Sequence, residues 1–358
     1  MKKIRVAVVD DSSFMRKAVV RMLAPEPRIV VVGTAASGEE LLTQLDTWQP
    51  DVVTLDLFMP GMGGLRTLDR IMERKPLPVI LLSSHSRERA PLTIEALHRG
   101  AVDFIDKQRY SLVDFQALGR VLIDKILLVT GAHVHPPDRG AHTGAPEEHT
   151  GPERRAHPRV RSPQATRAPA YDLLLMGAST GGPVAIREIL EDLGTDLRVP
   201  AVVVQHMPKG FTRAFAERLN SQLPVPVLEV LGREPLLPST IYIAPAERHL
   251  VIRGRPGELT VVATSDPDDV THRPSVDVLF SSAASIPELR VVGLLLTGMG
   301  SDGAKGMKEL AGAGAFTLAQ DADTSIVYGM PRAAAELGAA HEILPLGQIA
   351  ARLRDLIG

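Results

Sequence analysis

Three side chains of complementary chemistry each follow an apolar run between residues 173 and 302. Ser179 crests the turn Gly177-Ala178-Ser179-Thr180-Gly181-Gly182-Pro183 after the run at 173–176. His206 sits in Gln205-His206-Met207-Pro208 after the run at 202–204, and Asp302 in Leu296-Thr297-Gly298-Met299-Gly300-Ser301-Asp302-Gly303 after the run at 291–296. Singly, each has a plain reading. Residues 177–181 fit the G-x-S-x-G elbow pattern, but a glycine-rich βα turn or a phosphate-cradling loop accounts for it as well. His206 reads as a satisfied rim histidine and Asp302, opening a helix, as an N-cap. Jointly they supply nucleophilic catalysis. A serine is a weak nucleophile until a neutral imidazole takes its proton, and a carboxylate then holds the imidazole's tautomer and stabilises its cation. The order Ser, His, Asp differs from the Ser, Asp, His order of α/β-hydrolases, which implies a convergent triad on another fold. His249, His272 and His341 lack comparable turns and read as structural.

The first third of the chain carries a second constellation. Strand candidates at 4–9, 29–33, 52–55, 79–82 and 102–105 alternate with helical patterns, the mark of a five-stranded parallel doubly wound sheet. Functional groups gather at the carboxyl ends of such strands. There the chain places Asp10, Asp11, Asp56, Ser83-Ser84 and Lys107. Three carboxylates in one crevice call for a cation, and a hard, oxygen-preferring ion such as Mg²⁺ suits them. A hydroxyl and an ammonium beside them are what a phosphoryl group carried on a carboxylate needs.

The elements that must position these groups divide the chain. Its 358 residues suffice for two cores. A net charge of -2 gives no global bias towards nucleic acid or an anionic membrane. The absence of cysteine excludes disulfide and thiolate chemistry and fits a reducing compartment. No apolar run approaches the roughly twenty residues that span a bilayer, and the N-terminal run is too short for a signal peptide, so a cytoplasmic protein without membrane insertion is expected. Residues 131–170, rich in Pro, Gly, Arg and His, read as a flexible linker. Five of the 11 histidines (His133, His135, His142, His149, His157) fall there at irregular spacing and read as solvated, like the basic run Arg154, Arg155, Arg159 and Arg161. The expected plan is a domain at 1–130 closed by a helix over 112–128, the linker, and a mainly parallel doubly wound α/β domain at 171–358. The latter has strands at 173–176, 202–204, 227–230, 241–243, 291–296 and 316–318, with a hairpin-like insert at 249–262. Trp48 should pack in the first domain.

On its strand-end residues and the loop Asp56-Leu57-Phe58-Met59-Pro60, the first domain resembles the flavodoxin-like receiver domain of bacterial response regulators over residues 3–127. The resemblance implies that Asp56 is the phosphoacceptor, with Mg²⁺ held by Asp10, Asp11, Asp56 and the backbone carbonyl of Phe58. It also implies Ser83 and Lys107 on the phosphoryl oxygens and Phe104 as the switch aromatic. Gln108 stands where that family commonly has proline.

Gly177 to Pro183, Gln205-His206-Met207-Pro208, Ile241-Tyr242-Ile243-Ala244-Pro245, His249-Leu250, Arg273-Pro274-Ser275-Val276-Asp277 and Leu296 to Gly303 make the second domain similar to the catalytic domain of chemotaxis protein-glutamate methylesterases. The implied activity is phosphorylation-activated hydrolysis of glutamate γ-methyl esters on methyl-accepting chemoreceptors, with release of methanol and deamidation of receptor glutamines. A chemotaxis-type histidine kinase would be the phosphodonor. Ser179 would attack, His206 relay the proton, Asp302 orient His206, and the Met299 amide bind the oxyanion near Thr180, with no cofactor for the esterase step. A nucleotide-binding output and a transcriptional regulator fit less well: the chain has no clean G-x-G-x-x-G, and its output domain is long, α/β and not evidently basic.

Overall fold

The computed structural model describes residues 2–83, 89–107, 115–130 and 170–358. Ser84, Gln108, the first residues of the expected closing helix, and the linker histidines and arginines lie outside the described residues.

The first domain runs β1 (Ile4–Val9), α1 (Ser13–Leu23), β2 (Ile29–Ala35), α2 (Gly38–Trp48), β3 (Val52–Asp56), α3 (Gly63–Arg74), β4 (Val79–Ser83), α4 (Ala90–His98), β5 (Asp103–Asp106) and α5 (Phe115–Val129). Its sheet has the order β2-β1-β3-β4-β5, all parallel. Both faces of the sheet are covered, as the near-continuous apolar strands require. In β1, Val6 and Val8 enter one core cluster and Ala7 and Val9 the other. The strand order reverses between β1 and β3, which opens the crevice where Asp10 and Asp56 end their strands. Trp48 is partly buried against this core.

The second domain comprises β6 (Leu173–Ala178), α6 (Gly182–Leu193), β7 (Ala201–Gln205), α7 (Phe211–Gln222), β8 (Val227–Glu229), β9 (Arg233–Pro235), β10 (Ile241–Ile243), β11 (His249–Arg255), β12 (Glu258–Thr264) and α8 (Val276–Ala284). It continues with β13 (Val291–Leu295), α9 (Ala304–Gly312), β14 (Phe316–Gln320), α10 (Met330–Glu336), β15 (Glu342–Leu344) and α11 (Leu346–Ile357). Seven parallel strands lie in the order β15-β14-β13-β6-β7-β10-β8. The fully buried β6 is central, and the switch point falls between it and β13. The expected hairpin insert is β11 and β12, and β9 joins it as a third antiparallel strand.

The two domains share a core. One apolar cluster runs from the first sheet through Phe104 into the second domain, where the Phe104 and Phe211 rings lie 4.4 Å apart. Helix α4 packs on α6 and α7, and Arg218 of α7 pairs with Glu95 of α4 at 2.5 Å.

Candidate active site and receiver crevice

The Ser179 turn is held by its neighbours. The Ser179 amide donates to Thr297 O at 3.0 Å, and the Ser179 carbonyl accepts from the Gly182 amide at 2.9 Å and from Gln205 Nε2 at 2.8 Å. Gly181 is left-handed, φ +79°, and a Cβ there would stand 2.8 Å from Ile326. Glycine is therefore required both by conformation and by space.

His206 follows β7, and its amide donates to Ala178 O at 3.0 Å, which ties the histidine turn to the serine strand. The imidazole Nε2 lies 2.8 Å from Asp302 Oδ2. Burial alone would raise the Asp302 pKa, but the His206 hydrogen bond and charge together with the Val276 and Asp277 amides outweigh it and hold the carboxyl at about 2. An ionised carboxylate only accepts, so Nε2 carries the hydrogen, and whenever the ring is neutral it is Nδ1 that keeps the lone pair. That Nδ1 is buried without a hydrogen-bond partner. Ser179 and His206 line one cavity of about 390 Å³. No bond joins Nδ1 to Ser179 in this structure, and such bonds are commonly loose until substrate arrives.

Asp302 differs from the expectation that it opens and caps its own helix. The cap of α9 is Gly303, at φ +91°. This left-handed turn leaves the Asp302 carboxylate against the N-terminus of α8, where it accepts from the amides of Val276 at 2.7 Å and Asp277 at 3.1 Å and from Ser275 Oγ at 2.7 Å. The helix's positive end stabilises the carboxylate.

Met299, Gly300 and Thr180 line the same cavity. Thr180 is already engaged: its hydroxyl donates to Asp103 Oδ2 of the first domain at 2.6 Å, and Lys125 pairs with the same carboxylate. His272, read as structural from sequence, lines this cavity too and stacks on His206 with ring centres 4.5 Å apart. Burial, then the neighbouring His206, pushes its pKa down and favours the neutral ring. Its place just before the Arg273-Pro274-Ser275 motif was the available signal. His341 instead stacks on Phe316.

In the receiver crevice, Asp10, Asp11 and Asp56 each offer a carboxylate oxygen, all within 4.8 Å of one another. Lys107 Nζ lies 2.7 Å from Asp10 Oδ2 and 2.8 Å from Asp56 Oδ2. Burial raises the Asp10 pKa even with Lys107 opposing it, and three carboxylates against the one Lys107 ammonium leave the crevice short of positive charge. An all-oxygen donor set with surplus negative charge fits a hard divalent ion such as Mg²⁺. The Phe58 amide donates to Asp56 Oδ1 at 3.2 Å, which draws its loop over the acids. Ser83 Oγ lies at hydrogen-bonding distance, 2.8 Å, from Thr93 Oγ1 of α4.

Fold and site together define the class: a receiver domain joined to an α/β domain that carries a Ser-His-Asp cluster at its switch point. Residues 174–353 match the CheB methylesterase family and residues 6–114 the response regulator receiver domain. The chain is 43% identical to the protein-glutamate methylesterase/protein-glutamine glutaminase of Geobacillus kaustophilus over 100% of both chains. It is 40% identical to the one of Symbiobacterium thermophilum over 100% of this chain and 98% of that one. The CheB methylesterase catalytic domain of Thermotoga maritima superposes with a TM-score of 0.50 at 35% identity, covering 52% of this chain and 99% of that structure. The chain belongs to the CheB methylesterase family and carries the family's receiver domain at its N-terminal end.

Proposed function

We propose that the chain is a phosphorylation-activated protein-glutamate methylesterase and protein-glutamine glutaminase acting on the methyl-accepting helices of chemoreceptors. The observation that carries this reading is the His206 imidazole, bound through Nε2 to Asp302 at 2.8 Å while its unpartnered Nδ1 is buried beside the cavity that Ser179 lines. Ser179 Oγ attacks the ester carbonyl as Nδ1 takes its proton, and the Met299 amide supports the oxyanion. Collapse passes that proton to the departing methoxide, releasing methanol. Water then cleaves the acyl-enzyme by the same base, leaving glutamate and free Ser179. A glutamine side chain follows the same course with ammonia as leaving group.

Asp56 is the phosphoacceptor in this reading. Asp10, Asp11, Asp56 and the Phe58 carbonyl would hold Mg²⁺, which supplies charge neutralisation when bound. Lys107 and Ser83 receive the phosphoryl oxygens, and Phe104 reports the change to α7. The receiver residues Asp103, Phe104 and Lys125 line the same cavity as Ser179 and His206, which supports a reading in which the unphosphorylated receiver obstructs substrate helices. A chemotaxis-type histidine kinase relieves this by phosphorylating Asp56.

The test is methanol release from methyl-labelled chemoreceptor with a phosphodonor present. Ser179→Ala should abolish release while phosphate uptake on Asp56 continues. Release undiminished in Ser179→Ala would overturn the assignment.

A further inference from the structure

Beyond the three groups that do the chemistry, we infer that His249 is a positioning residue for the esterase reaction, acting through Ser275 on Asp302; this rests on the triad reading above. His249 begins β11 and is fully buried. Its Nδ1 accepts the Ser275 amide at 3.1 Å, and its Nε2 lies 3.2 Å from the Pro267 carbonyl. Because Nδ1 accepts, Nε2 carries the hydrogen and donates, so both ring nitrogens are used by the neutral ring. Burial, and then the charge of Arg273, pushes its pKa down and keeps it in that form.

The ring therefore bridges two segments. One is the loop through Pro267; the other is the turn from Arg273 to Ser275 that leads into α8, whose Arg273 and Pro274 line the cavity. Ser275 is where the second segment meets the triad. Its hydroxyl accepts from the Val278 amide at 3.3 Å as the N-cap of α8 and donates to Asp302 Oδ1 at 2.7 Å. The amides of Val276 and Asp277, next in the chain, meet the same carboxylate. Anchoring the Ser275 amide thus sets three of the donors that aim Asp302 at His206. His249 touches neither substrate nor reacting atoms, so its loss should lower kcat and leave KM in place.

The experiment uses the full chain with a phosphodonor and methyl-labelled chemoreceptor fragments. His249→Leu, which cannot accept the amide, should lose roughly tenfold to a hundredfold in kcat at unchanged KM, as supporting-shell losses do elsewhere. His249→Asn, whose Oδ1 replaces Nδ1 as acceptor, should recover activity to within about threefold of the parent, the size of a modest residual misfit. Ser275→Ala removes the hydroxyl link without touching the apolar core and should repeat the kcat loss; Ser275→Thr should restore it. Phosphate uptake by the receiver and the thermal transition report folding independently. Unchanged kcat in folded His249→Leu, equal loss in His249→Asn and His249→Leu, or an unaltered Ser275→Ala would each overturn the inference. If instead Ser179→Ala retains activity, the triad reading fails, a result distinct from all of these.

Discussion

At the scale of the residue, the site is a matter of which atom can hold a proton. Asp302 accepts two backbone amides, a hydroxyl and the His206 ring, so it is saturated with donors and ionised. Its carboxyl pKa of about 2 lies below the ordinary 3.8. Because the folded value is depressed, the stability it contributes is present above pH 3.8 and is lost as pH falls through about 2, so the orienting bond survives mild acid. Replacing the charge is another matter. Asp302→Asn lets the imidazole adopt the wrong tautomer, and kcat should fall by about 10⁴; its amide NH2 also faces donors that the carboxylate satisfied, so the thermal transition should fall as well. Steady-state methanol release across pH values would show this; activity within tenfold of the parent would mean that Asp302 only caps α8.

At the scale of the element, three βα turns converge on one switch point, and their tolerances are set by close approach. Gly298 lies on the β13 turn, where an added Cβ would fall 2.8 Å from Ser179 Cβ and 2.3 Å from Met330 Sδ. Gly298→Ala should push the Ser179 turn aside, costing about 1–3 kcal/mol through overpacking and reducing esterase activity far more than receiver phosphorylation. A thermal scan paired with both assays checks it; parental activity would show that the turn yields freely. These elements were readable in advance because their apolar runs are continuous and their turns rich in glycine, as in Leu173–Ala178 followed by Gly181 and Gly182. What escaped the sequence was long-range. The pairing of β9 with the β11–β12 hairpin joins short segments with no shared periodicity. The three-residue β15 is too brief to show a period. His249 and Ser275 join the site only because α8 starts against a turn 26 residues further along the chain. Nothing local to either residue announces that contact.

At the scale of the whole molecule, the proposed regulation is an equilibrium between joined and parted domains. Asp56→Asn should remove stimulation by phosphodonor and leave basal release in place; full stimulation would displace Asp56 as acceptor. The interface also contains a group that responds to pH. His98, at the end of α4, is buried with neither ring nitrogen partnered. Burial first, and then Arg187 of α6 and Arg218 of α7, depresses its pKa from 6.5 to about 3. Other charges in this cluster are Glu95, which pairs with both Arg218 and Arg99, Asp69, which also pairs with Arg99, and Glu191, which pairs with Arg187. The joined form therefore binds fewer protons than a parted form in which His98 is solvated. Acidification below pH 6.5 favours parting, and this preference is absent well above 6.5. Between pH 7.5 and 5.5 one such group raises the parted-to-joined ratio about tenfold by linkage. The readout is basal release divided by phosphodonor-stimulated release, which cancels titration of the catalytic groups common to both. That ratio should climb as pH falls in the parent and stay level in His98→Leu, which keeps the apolar contact without the titrating ring. A level ratio in the parent, or an equal climb in the variant, would show that the arginine-flanked histidine does not sense pH for the interface.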